Sequence, residues 1–415
     1  MRIKTKLRND YPILYRPLLV CRINGTWPIN TKYKSLNILH GIYGKALCIA
    51  CVIIVMLETV AIYVNGNDID EFLTIGSLLF LTNVTVYKWV KNTFELSKMK
   101  GLIEHCSKLD KQFKRSTDEE VQKLYKAYER FSLFVTIYQT IAIMTAVVLV
   151  SMAPLLKEML IGERYFMLKN GTKTDRVKKE LPIQIWLPCD IHKPPGYYIG
   201  YFYTGFIGIL LGGTFIASWN GLIVGVFVCI KGYLDILEYY LISIGSRTSK
   251  ALTPKQNTSL IKKDIVRAIE LHQDIITLID EVNDYIGFIM VVHSLTYSVL
   301  ICLCGFKIFI SKSVVEKSFL TVYTCTCIIN DLIAFYWFGN EVLYKSENIA
   351  TSIWKSKWYD FNKDANQCLV FMMLRCQKPL CFNIGPFGTI SVMTCVGILK
   401  AGYAYLALLN EMYSD

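Results

Sequence analysis

The chain alternates long apolar runs with polar, mostly basic segments. Seven apolar runs approach or exceed the roughly 20 residues with which a helix crosses about 30 Å of hydrocarbon, and they lie at 38–64, 69–90, 131–156, 197–230, 285–310, 318–343 and 384–409. The first run follows a polar and basic stretch and lacks a small-residue cleavage site, so we expect it to remain as a span. We therefore predict an all-α membrane protein with seven transmembrane helices.

Composition supports this class, because 53% of the 415 residues are hydrophobic and only 19% are charged. Lys and Arg residues are unequally divided between the two sides of the predicted spans. The tail 1–37 and the segments 91–130, 231–284 and 344–383 hold 31 of them, whereas the segments on the other side hold 10. The excess of positive charge predicts a cytoplasmic N-terminus and an extracellular C-terminus.

This topology divides the chain into four parts. They are a cytoplasmic N-terminal tail at 1–37, six spans with their connecting loops at 38–343, a cytoplasmic anchor segment at 344–383, and the seventh span with an extracellular tail at 384–415. Of the four glycosylation sequons, at Asn24, Asn83, Asn170 and Asn257, only Asn170 falls in an exterior loop. We expect sugar on Asn170 alone.

Two cytoplasmic segments are predicted to be helical. Isoleucines repeat at helical spacing through 264–282, which indicates that the fifth span begins well inside the cytoplasm. Residues 364–377 are apolar on all sides but too short to span, so we expect them to be buried in a subunit bundle or a re-entrant segment.

Charged residues inside a span must face water, a partner or the interface. Five such residues stand out in the sequence: Lys45, Glu58, Asp331, Glu341 and Lys400. The residues near span ends, Lys45, Glu58 and Glu341, can reach the interface. The deeper Asp331 and Lys400 either pair with each other or with Asn330 and Tyr336, or Lys400 faces an aqueous conduit.

Enzyme motifs for a serine hydrolase, a zinc protease, a phosphate-binding loop or a dinucleotide site are absent from the sequence. We predict no enzymatic activity, no cofactor and no metal, since Cys189 with His192 is an isolated pair of metal-ligand types. Seven spans are also typical of G-protein-coupled receptors, but the charge distribution gives the opposite orientation. A transporter stays open, although no inverted repeat is visible.

The order of motifs in the C-terminal third resembles the insect odorant receptor family. These motifs are Trp358-Tyr359, then Arg375-Cys376-Gln377-Lys378-Pro379-Leu380, then the apolar stretch 398–409. The chain is similar to a ligand-tuning subunit, because its 231–284 loop lacks the longer insertion of the co-receptor. The resemblance implies a heterotetrameric, odorant-gated, non-selective cation channel that includes the co-receptor subunit. It would lie in the plasma membrane of olfactory sensory neuron dendrites. The alternative is a gustatory-type receptor that forms homotetramers.

The resemblance also assigns a pore and a pocket. The family register puts the hydrophobic constriction at Leu408 and a negative charge at the outer mouth, Glu411; the pore set is Lys400, Tyr405, Leu408, Leu409, Asn410 and Glu411. The odorant would be a small volatile organic molecule held in the outer half of spans 2 to 6. The residues expected to contact it are Phe72, Gly76, Phe80, Met144, Val148, Tyr201, Phe202, Tyr297 and Tyr323. Other partners are lipids and permeating cations, without nucleic acid.

Overall fold

The computed structural model describes residues 7–29, 31–65, 69–161, 165–167, 173–177, 179–188, 190–246, 253–310 and 316–414. Its helices in chain order are α1 Tyr15–Ile23, α2 Lys34–Asn65, α3 Ile69–Phe94, α4 Leu96–Lys114, α5 Glu119–Ile161, α6 Gly196–Tyr201, α7 Gly212–Ile242, α8 Pro254–Ile310, α9 Glu316–Glu347, α10 Ile349–Trp354, α11 Lys363–Cys376 and α12 Val392–Ser414. A π-helical segment, Phe202–Leu211, joins α6 to α7. The short strands β1 Tyr165–Met167 and β2 Lys173–Val177 form an antiparallel hairpin.

The prediction of an all-helical protein with seven spans is confirmed, apart from that hairpin. Seven helices within the described ranges are long and apolar enough to cross a membrane. They are α2, α3, α5, the continuous α6-to-α7 helix, α8, α9 and α12. The fourth span is the centre of the bundle, since 89% of its most apolar window is buried, against 11% for the last span. Glycines allow that centre to be packed closely, because a Cβ at Gly232 would lie 2.5 Å from the ring of Tyr128.

The fifth span is one helix of 57 residues, α8, so the prediction that it begins far outside the apolar run is confirmed. Its predicted isoleucine seam faces inward: Ile265 and Ile279 are buried. Asn283, just below the span, fixes the segment that follows α11. The Asn283 side chain accepts a hydrogen bond from Asn383 N at 2.8 Å and donates one to Cys381 O at 3.1 Å.

The seventh span begins at Val392 rather than at the predicted 384, so that boundary is corrected. A tight turn occupies the intervening residues, in which Ile384 N donates to Gly388 O at 2.7 Å. Gly385 and Gly388 have φ values of +49° and +153°, a backbone region that other residues rarely adopt. Ser391 then caps the helix by accepting a hydrogen bond from Thr394 N at 3.3 Å.

The apolar segment at 364–377 is a helix, α11, and Asn362 caps its start by accepting from Ala365 N at 3.3 Å. One face packs inward through Leu369 and Met372, which are buried. The opposite face carries Val370, Phe371 and Leu374, which are 54%, 71% and 55% exposed in the single chain. The segment is therefore not buried on all sides within one subunit.

Candidate ligand cavity and pore helix

An apolar cavity of about 160 Å³ lies inside the bundle. It is lined by residues of α2, α3, α5, α7, α8 and α9, of the π-helical segment Phe202–Leu211, and of one loop. Its walls are mainly aliphatic and include Ile54, Leu78, Ile143, Val147, Ile209 and Ile328. Engineered apolar cavities of about 150 Å³ bind benzene. The cavity therefore suits a small, largely apolar organic ligand.

Glycines on the fourth span create the space. A Cβ built on Gly212 would meet nothing within 4 Å, so the absence of a side chain there leaves volume inside the cavity. The next residue, Gly213, has the opposite role, because a Cβ there would overlap Val147 of α5. Gly213 thus lets α5 and α7 approach closely while Gly212 keeps the cavity open.

The π-helical segment and a loop close the remaining wall. Tyr203 of this segment donates to Ala50 O at 2.9 Å, and Tyr201, the last residue of α6, donates to Ser151 O at 2.6 Å. The loop at 181–187 contributes Ile183, which is buried and lines the cavity. Because single π turns recur at functional sites, the wide helical turn beside this cavity is consistent with a binding role.

One end of the cavity is polar and consists of Asn220, Tyr297 and Asp331, which we call the polar floor. Asn220 Nδ2 and the Tyr297 hydroxyl each donate to the Asp331 carboxylate at 2.8 Å. The three groups come from α7, α8 and α9, so the floor joins three spans. A buried carboxylate requires such donors, because desolvation without them is costly.

A lysine compensates the charge of Asp331. Lys88 of α3 is fully buried, donates to Asn220 Oδ1 at 3.0 Å, and lies 4.6 Å from the ring centroid of Trp219. The lysine and the carboxylate therefore bind opposite ends of one asparagine amide. Two longer contacts surround Asp331, from Gln139 Nε2 at 3.4 Å and His293 Nε2 at 3.5 Å. Lys88 is not among the five span charges singled out from the sequence, and it was not identified as the partner of Asp331.

The structure shows the surroundings of several of the charged residues predicted to lie inside spans. Asp331 does not pair with Lys400, which is exposed on α12. Glu58 was expected to reach the interface, but it is fully buried and accepts a hydrogen bond from Thr82 Oγ1 at 2.5 Å. Glu341 lies 3.4 Å from Lys231 Nζ.

Of the nine residues predicted to contact the ligand, Tyr297 lines the cavity. The other eight lie elsewhere. Four are exposed on the outside of the bundle: Phe72, Phe80, Val148 and Phe202. Four are buried or half-buried without lining the cavity: Gly76, Met144, Tyr201 and Tyr323. Most of these side chains therefore lie on helix faces that do not line the cavity.

The predicted pore helix, α12, packs against α8 through two glycines. A Cβ on Gly305 of α8 would lie 2.7 Å from Leu406 Cδ2, and one on Gly402 of α12 would lie 3.1 Å from Ser298 O. Ser298 is the neighbour of Tyr297, so a single turn of α8 contacts both the cavity and α12. Several predicted pore residues are exposed in the single chain, namely Lys400, Tyr405, Leu408 and Glu411, while Leu409 and Asn410 are half-buried.

A second buried carboxylate lies outside the spans, on α4. Asp110 accepts hydrogen bonds from the hydroxyls of Tyr233 at 2.8 Å and Tyr128 at 3.1 Å. Burial raises the pKa of Asp110 to about 7, and the two tyrosines oppose this rise. In the described part of the chain, no group of three or more His, Cys, Asp or Glu residues could hold a metal ion. Asn170 and Cys189 lie outside the described residues.

The fold and the cavity define a seven-span helical membrane protein with an apolar site between its helices. The family model "7tm Odorant receptor" matches residues 68–403, and the chain belongs to this family. It is a receptor family and not an enzyme family.

Similar proteins include Odorant receptor 10 of Aedes albopictus, which is 27% identical over 187 residues, covering 45% of this chain and 47% of that protein. The chain thus matches about half the length of this relative. Odorant receptor Or1 of Anopheles gambiae is 21% identical over 96% of this chain and 95% of that protein. The odorant receptor coreceptor of Ooceraea biroi is 24% identical over 39% of this chain and 34% of that protein.

A solved structure shares the fold. The olfactory receptor OR5 of Machilis hrabei, in complex with eugenol, superposes with a TM-score of 0.80 over 99% of both chains. At 13% sequence identity this match shows the fold alone.

Proposed function

We propose that this chain is the odorant-binding, ligand-tuning subunit of a heteromeric, odorant-gated, non-selective cation channel of the plasma membrane. The observation that carries the proposal is the mainly aliphatic cavity of about 160 Å³ between the spans, with one polar end. A volatile organic molecule is apolar, small and able to form few hydrogen bonds. Such a cavity holds it by dispersion along the walls and orients it at the polar floor.

Helix α8 supplies the connection between ligand and pore. Tyr297 lines the cavity, while the adjacent Ser298 and the next turn pack against Gly402 of α12. A ligand that binds the open arrangement better than the closed one shifts the equilibrium by that difference in affinity. A small displacement of α8 at Tyr297 would therefore be transmitted directly to α12, without a G protein.

Helix α12 forms the pore in this proposal. A ring of Leu408 side chains blocks ions in the closed state, because a narrow apolar constriction excludes water. Glu411 adds negative charge on the outer side and favours cations. The positive-inside distribution supports the orientation, with the N-terminus cytoplasmic and the C-terminus outside.

The partner subunit would be an odorant receptor co-receptor. Coreceptors are among the relatives of this chain, and two apolar surfaces are exposed in the single subunit. The first is the outer face of α11, with Phe371 71% exposed; the second is α12, with Tyr403 71% and Leu408 55% exposed. Assembly of four subunits around α12 would cover both surfaces. For α11, which lies outside the spans, an exposed apolar patch of this kind marks an interaction surface. Olfactory sensory neurons are the expected site of expression.

Expression with and without a co-receptor tests the proposal. Cells that express both subunits should give an odorant-evoked, non-selective cation current that persists in excised patches without nucleotide. Loss of the current when GTP is removed would instead support a G-protein-coupled receptor. Ligand-evoked current from this chain alone would support the gustatory-type homotetramer, and substrate-coupled uptake without current would support a transporter.

A further inference from the structure

The polar groups of the cavity already use most of their hydrogen-bond donors within the protein. The Tyr297 hydroxyl donates to Asp331 at 2.8 Å, and Thr85 Oγ1 donates to Leu81 O at 2.9 Å. Thr82 Oγ1 has Glu58 at 2.5 Å and the carbonyl of Leu78 at 3.0 Å. Thr324 also has a partner within the protein. Lining residues on helices use their backbone N–H groups inside those helices.

Acceptors therefore exceed donors at the polar floor. Asn220 uses one N–H for Asp331 at 2.8 Å, and its carbonyl oxygen accepts from Lys88 at 3.0 Å. The second N–H of Asn220 is the one remaining donor of that side chain. The acceptors are more numerous, because Asp331, Tyr297 and the two threonines all carry oxygen lone pairs. The Tyr297 hydroxyl donates its hydrogen bond to a carboxylate, which makes the Tyr297 oxygen a better acceptor because linked hydrogen bonds polarise each other.

The charges at the floor favour a neutral ligand. Lys88 is fully buried one amide away from Asp331, so the negative charge of Asp331 already has its counter-ion. An ammonium ligand would place a second cation near Lys88. A carboxylate ligand would face Asp331. Either charge would also lose its hydration in an apolar cavity, at a cost that the ligand does not recover there.

We propose that this cavity selects neutral ligands that donate a hydrogen bond, small alcohols and phenols, over carbonyl compounds of the same shape, with the Tyr297 oxygen as the acceptor. The inference rests on the proposed function, namely that the odorant binds in this cavity. A ligand hydroxyl completes the acceptor set of the floor. A ligand carbonyl adds another acceptor and leaves its own oxygen poorly paired, which a buried polar group tolerates badly.

Matched ligand pairs test this preference on the full-length chain expressed with a co-receptor. Cyclohexanol is compared with cyclohexanone, and benzyl alcohol with benzaldehyde, because the members of each pair have equal numbers of heavy atoms. The half-maximal concentration for current should be lower for the alcohol in both pairs by roughly tenfold or more, the penalty for one unpaired buried acceptor. Equal or inverted potencies would overturn the inference while leaving the proposed function intact. No response to any of the four compounds would overturn both.

Two tyrosine variants assign the acceptor. Tyr297→Phe removes the proposed acceptor, so the ratio of half-maximal concentrations, carbonyl compound to alcohol, should fall to about one in each pair. Tyr138→Phe is the control, because the Tyr138 hydroxyl belongs to the neighbouring polar groups, donating to Asn330 at 2.7 Å, but does not line the cavity. It should keep the wild-type ratio. An unchanged or increased ratio in Tyr297→Phe would overturn the assignment of Tyr297.

Discussion

Filling the cavity from Gly212 should strongly reduce sensitivity to the odorant without harming the fold. A Cβ at this position meets nothing within 4 Å, and Gly212 lines a cavity of about 160 Å³. Valine there adds three carbon groups, each about as large as the roughly 30 Å³ share of a water molecule, so it occupies much of the space. Replacing glycine inside a helix also raises helix propensity slightly.

The magnitude follows from the contact area that the ligand loses. Three carbon groups at about 0.8 kcal/mol each correspond to roughly 2.4 kcal/mol of binding energy, or a fiftyfold to sixtyfold higher half-maximal concentration. The assay is the concentration dependence of the odorant-evoked current in cells that also express a co-receptor. Surface biotinylation should show the wild-type amount of Gly212→Val protein at the membrane.

Gly76→Val is the matched control. Gly76 belongs to the ligand set predicted from sequence, a Cβ there also meets nothing within 4 Å, and it does not line the cavity. Its concentration dependence should match the wild type. A shift in Gly76→Val together with normal sensitivity in Gly212→Val would refute the assignment of this cavity and favour the sequence-derived set.

Four other changes test separate parts of the account. Glu411→Gln should weaken divalent block or calcium permeation, and an unchanged ion preference in reversal-potential measurements would count against a pore-mouth role. Lys88→Met leaves Asp331 without its counter-ion and should lower the free energy of unfolding by about 3–5 kcal/mol, which would be seen as reduced surface expression. Adding Asp331→Leu should restore most of the surface expression, and no recovery would contradict the pairing. Burial raises the pKa of Asp110 to about 7, so the native state favours the protonated carboxyl. That contribution to stability is complete below the unfolded pKa of about 4 and is lost as the pH rises through about 7. Asp110→Asn should therefore reduce the fall in thermal stability between about pH 5 and about pH 8 in detergent, and an unaltered pH dependence would disprove this role. Asn170→Gln should remove the glycosidase-sensitive mobility shift on gels, and a shift that survives would contradict the topology.

The sequence was sufficient for the spans because their signal is length and composition. It was not sufficient for their rotation. Phe72 and Phe80 lie at the right depth on α3, but the side of α3 that faces the cavity carries Leu78 and Leu81. A span that is apolar on all sides has no polar stripe to mark which face packs inward. Tyr297 is the one member of the predicted set that lines the cavity, whereas the predicted Tyr201 and Tyr323 do not.

The polar floor could not be predicted for a different reason. Lys88, Asn220 and Asp331 lie on three helices, and nothing local in the sequence links them. Even the misjudged start of the seventh span had a local signal: Gly385 and Gly388, with Pro386 between them, mark a turn directly before α12. Contacts between side chains on different helices depend on how the helices pack, whereas the end of a helix can be predicted from residues next to it in the sequence.

The central claim is that the apolar cavity beside α7 binds the odorant. The most direct measurement is a structure of this chain assembled with a co-receptor, determined with and without an alcohol that evokes current. We predict ligand density between Gly212 and the polar floor, with the ligand oxygen at hydrogen-bonding distance from Tyr297 and with α12 displaced relative to the ligand-free state. Ligand density elsewhere, with this cavity empty, would contradict the account.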